Sequence, residues 1–125
     1  MKKLFFIVFV CLSFAARASH ERAGEITFKW ISGYTYRIIV TTYTRGASTQ
    51  ADKCSLSINF GDDSAHHDIF RTNGPPCSGP YPPCPHCGVF IGLSTDDVKM
   101  NVYDTVHTFP GPYTYTITMT DPNRN

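Results

Sequence analysis

Val106–Asp121 reads VHTFPGPYTYTITMTD, and its pattern decides the fold. From Tyr113 onward the residues alternate. Tyr113, Tyr115, Ile117 and Met119 fall on one side, and Thr114, Thr116, Thr118 and Thr120 on the other. A two-residue period in β-branched and aromatic residues suits a half-buried strand, because successive side chains leave opposite faces. A helix would scatter the same residues around its circumference. Pro110-Gly111-Pro112 supplies turn chemistry immediately before the run. The pattern predicts a long antiparallel strand from Tyr113 and points to an all-β module rather than a catalyst.

Working outward, the same period recurs. Ala23–Trp30 places Ile26, Phe28 and Trp30 on one face and Glu25, Thr27 and Lys29 on the other. Ser32-Gly33 reads as a tight turn into Tyr34–Arg45, where Tyr34, Tyr36, Ile38 and Val40 alternate with Thr35, Arg37, Ile39 and Thr41. These two runs predict a hairpin. A polar loop covers Gly46–Lys53. Cys54–Phe60 then turns Cys54, Leu56, Ile58 and Phe60 inward, with a turn at Gly61–Ser64 and a shorter strand over His66–Thr72. Asp97–Thr108 is another long strand, with Val98, Met100, Val102 and Val106 as its apolar side. The core is expected where Ile58 and Phe60 meet Tyr113 and Ile117. Short strands at regular spacing, with turn signals between them, predict an antiparallel β-sandwich of about seven strands. Asn73–Gly88, NGPPCSGPYPPCPHCG, is too rich in Pro and Gly to donate regularly to a ladder and reads as a surface loop.

The first 18 residues read as an export signal. Lys2 and Lys3 form a positive start, Leu4–Phe14 an apolar stretch, and Ala16-Arg17-Ala18 a cleavage site, so the mature chain is expected to begin at Ser19. The apolar stretch is shorter than the roughly 20 residues a spanning helix needs. Losing Lys2, Lys3 and Arg17 takes Lys+Arg from 11 to 8 against 10 Asp+Glu, moving the formal charge from +1 to −2. There is no basic stripe of the kind nucleic-acid binding requires, and no membrane span is expected after cleavage. The remaining 107 of 125 residues suffice for one domain with one core.

Four cysteines remain after export: Cys54, Cys77, Cys84 and Cys87. An even number in an oxidising compartment favours two disulfides, with three connectivities open. A bridge from Cys54 to a loop cysteine would pin the loop to a strand edge. The competing reading is zinc, because Cys84-Pro-His86-Cys87 is a CxxC and His66 and His67 lie nearby in sequence. A redox CxxC would want a surrounding βαβ unit, and none is apparent. Asp62 and Asp63 with Asp68, and separately Asp121, Asn123 and Asn125, are the weak calcium candidates, since clustered oxygens are what calcium takes. The simpler reading of Asp62 is an Asx-type cap of its own turn. His107 reads as a half-buried histidine satisfying a backbone group. No Gly-x-Ser-x-Gly, HExxH or phosphate loop occurs, so no catalytic residue and no cofactor is expected. Tyr43, Tyr81 and Tyr103 are candidate exposed aromatics for sugar or protein contact, although single exposed aromatics are ordinary.

NFGDDS at Asn59–Ser64, a middle strand, and then HTFPGPYTYTITMTD resemble the PKD (polycystic kidney disease) domain. Phe60-Gly61-Asp62 matches the family's turn, and His107, Phe109, Gly111 and Tyr113 match its closing strand. The opening SHERAGEITFKW and the closing DPNRN resemble a narrower group, large secreted surface proteins of gliding bacteria, in which the chain runs on into further domains. The resemblance implies an immunoglobulin-like sandwich and a non-enzymatic spacer or adhesion module contacting an extracellular protein or polysaccharide surface. The alternative is a carbohydrate-binding accessory module of a secreted hydrolase. The sequence departs from the pattern at Ile58, Asn59 and Asp63, where the family favours a large aromatic, Asp and Gly. Asp at the last of these tolerates a left-handed backbone, so the turn survives.

Overall fold

Most of the alternating runs form strands, and these make two antiparallel sheets. The computed structural model describes residues 21–48, 51–77, 87–92 and 98–121. The export segment, Tyr81, Cys84, His86, Asn123 and Asn125 lie outside these residues. Seven strands occur among them, with no helix: β1 (Glu21–Ser32), β2 (Thr35–Arg45), β3 (Ser55–Asn59), β4 (His67–Phe70), β5 (Val89–Ile91), β6 (Val98–Thr108) and β7 (Thr118–Met119). The larger sheet is ordered β1-β2-β6-β5 and the smaller β4-β3-β7.

Register sorts the inner face of the larger sheet into rows. Tyr36 lies between Trp30 and His107, Ile38 between Phe28 and Thr105, and Val40 between Ile26 and Tyr103. Farther along, Thr42 lies beside Asn101, and Thr44 lies between Glu21 and Lys99. One half of this face is therefore aromatic and aliphatic, the other polar. The apolar half meets Leu56, Ile58, Phe60 and Ile69 of the smaller sheet and its flanks, and these residues with Ile38, Val40, Tyr103 and Phe109 make the core. Full burial of each large aliphatic or aromatic side chain there contributes about 1.5–3 kcal/mol.

The two long sides of the sandwich differ. Beyond β4, Arg71 bridges to Tyr103 of β6, and the Thr72 amide donates to the Val102 carbonyl, so this side is closed by backbone pairing. On the opposite side β1 and β7 are, among the described residues, edges that do not pair with each other.

Three expectations need correction. The strand expected from Tyr113 is a ladder only at Thr118–Met119, which pair with Asn59 and Ile58. Continuing that register would set Ile117 against Phe60 and Thr116 against Gly61, where the chain turns away through positive φ at Gly61 (75°) and Asp63 (62°). Tyr113, expected in the core, is consequently 75% exposed, whereas Tyr115, Ile117 and Met119 pack half-buried against it. On β6 the side facing the core is Lys99, Asn101 and Tyr103, not the valine side, and Val106 is exposed. Valine there serves strand preference more than burial. Tyr103, expected at the surface, is fully buried and donates its hydroxyl to the Lys53 carbonyl (2.8 Å), with burial pushing its pKa up. The strand β5, after the Pro-rich loop, was not anticipated. It is three residues long and exposed.

Candidate functional site: an aromatic cleft backed by the turn motif

The motif residues assemble at one end of the sandwich. Asn59 Oδ1 accepts from the Gly61 amide (2.7 Å) and Asp62 Oδ1 from the Ser64 amide (3.2 Å), two Asx caps that shape the turn. Gly61 is required twice over: its φ is left-handed, and a Cβ would stand 2.5 Å from the Thr116 carbonyl oxygen. Asp62 Oδ2 reaches His107 Nε2 at 2.6 Å, so the histidine's partner is a carboxylate rather than the backbone group expected. The Ser64 hydroxyl and then His107 hold the Asp62 carboxyl down at about 2. The His107 ring stacks on Phe60 (centroids 3.8 Å, planes 12° apart) and meets Phe109 edge-on at 4.7 Å.

A Ser, an Asp and a His thus lie together, but in an order that suits structure. The carboxylate sits between hydroxyl and imidazole, whereas nucleophilic catalysis needs the imidazole between the other two.

From Phe109 a series of ring contacts opens onto the unpaired side. Phe109 stacks on Tyr115 at 4.4 Å and meets Tyr36 edge-on at 5.9 Å. Tyr36 meets Phe28 at 6.1 Å, and Tyr115 meets Tyr113 at 6.4 Å. Together with Tyr34, Ile38, Pro112 and Ile117 these rings line an open cleft of about 330 Å³. Backbone ties fix its walls. Phe109 N–H donates to the Tyr34 carbonyl (3.0 Å), the Tyr113 amide and the Tyr115 hydroxyl both donate to the Gly111 carbonyl (3.0 Å each), and the Trp30 indole donates to the Gly33 carbonyl (3.0 Å). Phe28 and Trp30 sit on the inner register of β1 yet are 71% and 61% exposed, because β1 reaches beyond the smaller sheet. The cleft is a concave apolar surface with tyrosine hydroxyls at hand, the ordinary make-up of a binding site.

Of the aromatics expected at the surface, Tyr43 is half-buried with its hydroxyl on Glu25 (3.2 Å), and neither it nor Tyr103 lines the cleft. Phe28, Tyr34 and Tyr36 were missed as a site. The signal available was four aromatics, Phe28, Trp30, Tyr34 and Tyr36, flanking one tight turn. Two of the calcium candidates, Asn123 and Asn125, lie outside the described residues, and Asp62 and Asp121 have partners of their own. Asp62 is committed to Ser64 and His107, and Asp121 accepts from Lys53 Nζ at 2.8 Å with its side chain buried.

At the far end of the sandwich Cys54 and Cys77 form a disulfide, with Cα atoms 5.7 Å apart, and Cys87 Sγ lies within 4.8 Å of both sulfurs. The bridge joins the start of β3 to the loop stem. Asn73 fastens that stem to β6, donating to the Met100 carbonyl and accepting from the Val102 amide, both at 2.8 Å. Beside it lies the polar half of the inner face. Lys99 and Asp52 form a fully buried ion pair in contact, joined by Thr44 and Asn101. No helix among the described residues is long and apolar enough to cross a membrane.

No family model, curated protein or solved structure matches this chain.

Proposed function

We infer that the chain is a non-enzymatic, exported PKD-like module of a bacterial surface or secreted protein, acting as a spacer or adhesion domain against an extracellular protein or polysaccharide. The observation that carries this reading is the aromatic cleft between β1 and the 109–117 segment, which opens where β1 and β7 do not pair with each other among the described residues. Phe60, Gly61, Asp62, His107 and Phe109 support it from behind. The Phe60, Asp62, His107 and Phe109 side chains contact one another, as structural motif residues should, and Asp62 lies between the hydroxyl and the imidazole, not the imidazole between the other two. The disulfide fits an oxidising compartment.

The cleft also favours the second reading, a carbohydrate-binding accessory module, since flat aromatic walls with hydroxyls at their rims suit the apolar faces of sugars. Retention of the mature protein on insoluble polysaccharides and on protein-coated beads tests both. Retention on protein-coated beads supports the adhesion domain and counts against the accessory module, whereas polysaccharide retention alone fits either. In either case Tyr34→Ala with Tyr113→Ala should abolish retention while leaving the melting temperature nearly unchanged. Full retention by that double variant would remove the cleft as the contact surface, and release of soluble sugar would overturn the non-enzymatic reading.

A further inference from the structure

A lysine and an aspartate buried in direct contact, with hydrogen-bond donors aimed at the carboxylate, have a chemistry beyond that of an ion pair. Lys99 is 1% exposed and Asp52 0%. Lys99 Nζ touches Asp52 Oδ2 and donates to the Ser48 carbonyl at 3.0 Å. The other carboxylate oxygen, Oδ1, accepts from Thr44 Oγ1 at 2.7 Å and from Asn101 Nδ2 at 3.4 Å, and both residues are fully buried. Glu21 begins the same row of the sheet, so a second carboxylate lies one strand beyond Thr44.

We propose that Lys99 and Asp52 condense into an intramolecular amide, a covalent bond between β6 and the β2–β3 connection. Transfer of the bridging proton from Nζ to Oδ2 turns the ion pair into an amine and a carboxylic acid. The Nζ lone pair then attacks Cγ of Asp52, and the carbonyl electrons move onto Oδ1. Thr44 and Asn101 already donate there, so the developing oxyanion meets preorganised donors. Collapse restores the carbonyl and expels Oδ2 with its proton and one of the two amine protons. The other amine proton stays on the new amide nitrogen, and one water leaves. No oxidant or co-reactant enters.

In dilute solution this condensation runs uphill. Fixed neighbours reach effective molarities of roughly 10⁵–10⁸ M, which speeds the condensation, and burial of both side chains limits access of bulk water for the reverse hydrolysis. The product would close residues 52–99 into a covalent ring independent of the disulfide.

The test is a mass measurement on the exported protein after reduction and alkylation. The chain should be lighter than its sequence by the mass of one water. Trypsin should fail to cut after Lys99 and yield a branched peptide joining Gly46–Lys53 to Thr72–Arg124. That peptide is diagnostic wherever the mature chain starts. Lys99→Arg and Asp52→Ala should each restore the unbranched peptides. Should either variant fail to fold, wild-type protein made in denatured form and then refolded supplies the second reading: the water should be lost only after refolding. A refolded wild-type chain at full mass, cleaved normally after Lys99, would leave a plain buried ion pair and overturn the proposal.

Discussion

Asp62 owes its low pKa to two neighbours, the Ser64 hydroxyl first and His107 second, and this fixes how acid acts on the fold. Its folded value of about 2 lies below the ordinary 3.8, so the group stabilises the fold above about pH 4. As pH falls toward 2 the unfolded chain takes up the proton first, and that contribution is lost. Wild-type urea midpoints should therefore drop between about pH 5 and pH 2 more steeply than those of Asp62→Asn, which starts lower and loses less. Parallel pH profiles for the two proteins would show that the carboxylate is not coupled to folding. Much at this scale was readable beforehand. Asp63 was expected to tolerate a left-handed backbone and has φ 62°, and Asp62 was expected to cap its own turn and does. The Asp62–His107 pair was not readable, because a separation of 45 residues carries no local signal.

For whole strands, legibility depended on whether apolar residues marked the buried face. In β2 and β3 they do, and Ile38, Val40, Leu56 and Ile58 lie inward as the alternation required. In β6 they do not. Lys99 and Asn101 face in because Asp52, arriving from the β2–β3 connection, answers them with charge and hydrogen bonds. Period alone gives two faces; which is buried depends on a partner distant in sequence. The C-terminal run failed differently: its alternation is sound, but the strand it would pair with turns away at Gly61. This difference between strands is measurable by truncation. Ile58 is fully buried between β4 and β7, so Ile58→Ala should cost about 2–5 kcal/mol. Ile117 is half-buried beside the open cleft, so Ile117→Ala should cost about half as much or less. Chemical denaturation of both variants compares them, and equal losses would mean that the 113–117 segment is as fully packed as a core strand.

Across the whole molecule the two ends differ in make-up. The aromatic end opens where β1 and β7 do not pair with each other among the described residues, while the polar end is shut by the Arg71–Tyr103 bridge, the Asn73 clamp, the Lys99–Asp52 pair and the Cys54–Cys77 disulfide. The all-β class and a count of about seven strands were readable from sequence, although β5 was not among the runs identified. The open side was not, because it follows from sheet order, which alternation does not encode. The division makes a prediction about reduction. The bridge spans 23 positions of chain, and closing a loop of that size typically stabilises by about 2–4 kcal/mol through the unfolded state. For a domain of this size such a loss lowers the melting temperature by roughly 10 °C or more. Cys54→Ser with Cys77→Ser should reproduce that drop, and hydrogen exchange should quicken at the Val102 amide, held by the Asn73 side chain, and at the Thr72 amide, held by the Val102 carbonyl. Amides at the cleft end, Phe109 and Tyr113 among them, should keep their protection, since their partners are Tyr34 and Gly111 and owe nothing to the cysteines. Loss of protection at both ends together would show that the sandwich opens as one cooperative unit. An unchanged melting temperature would show that the loop stem is held by Asn73 and Arg71 without the bridge.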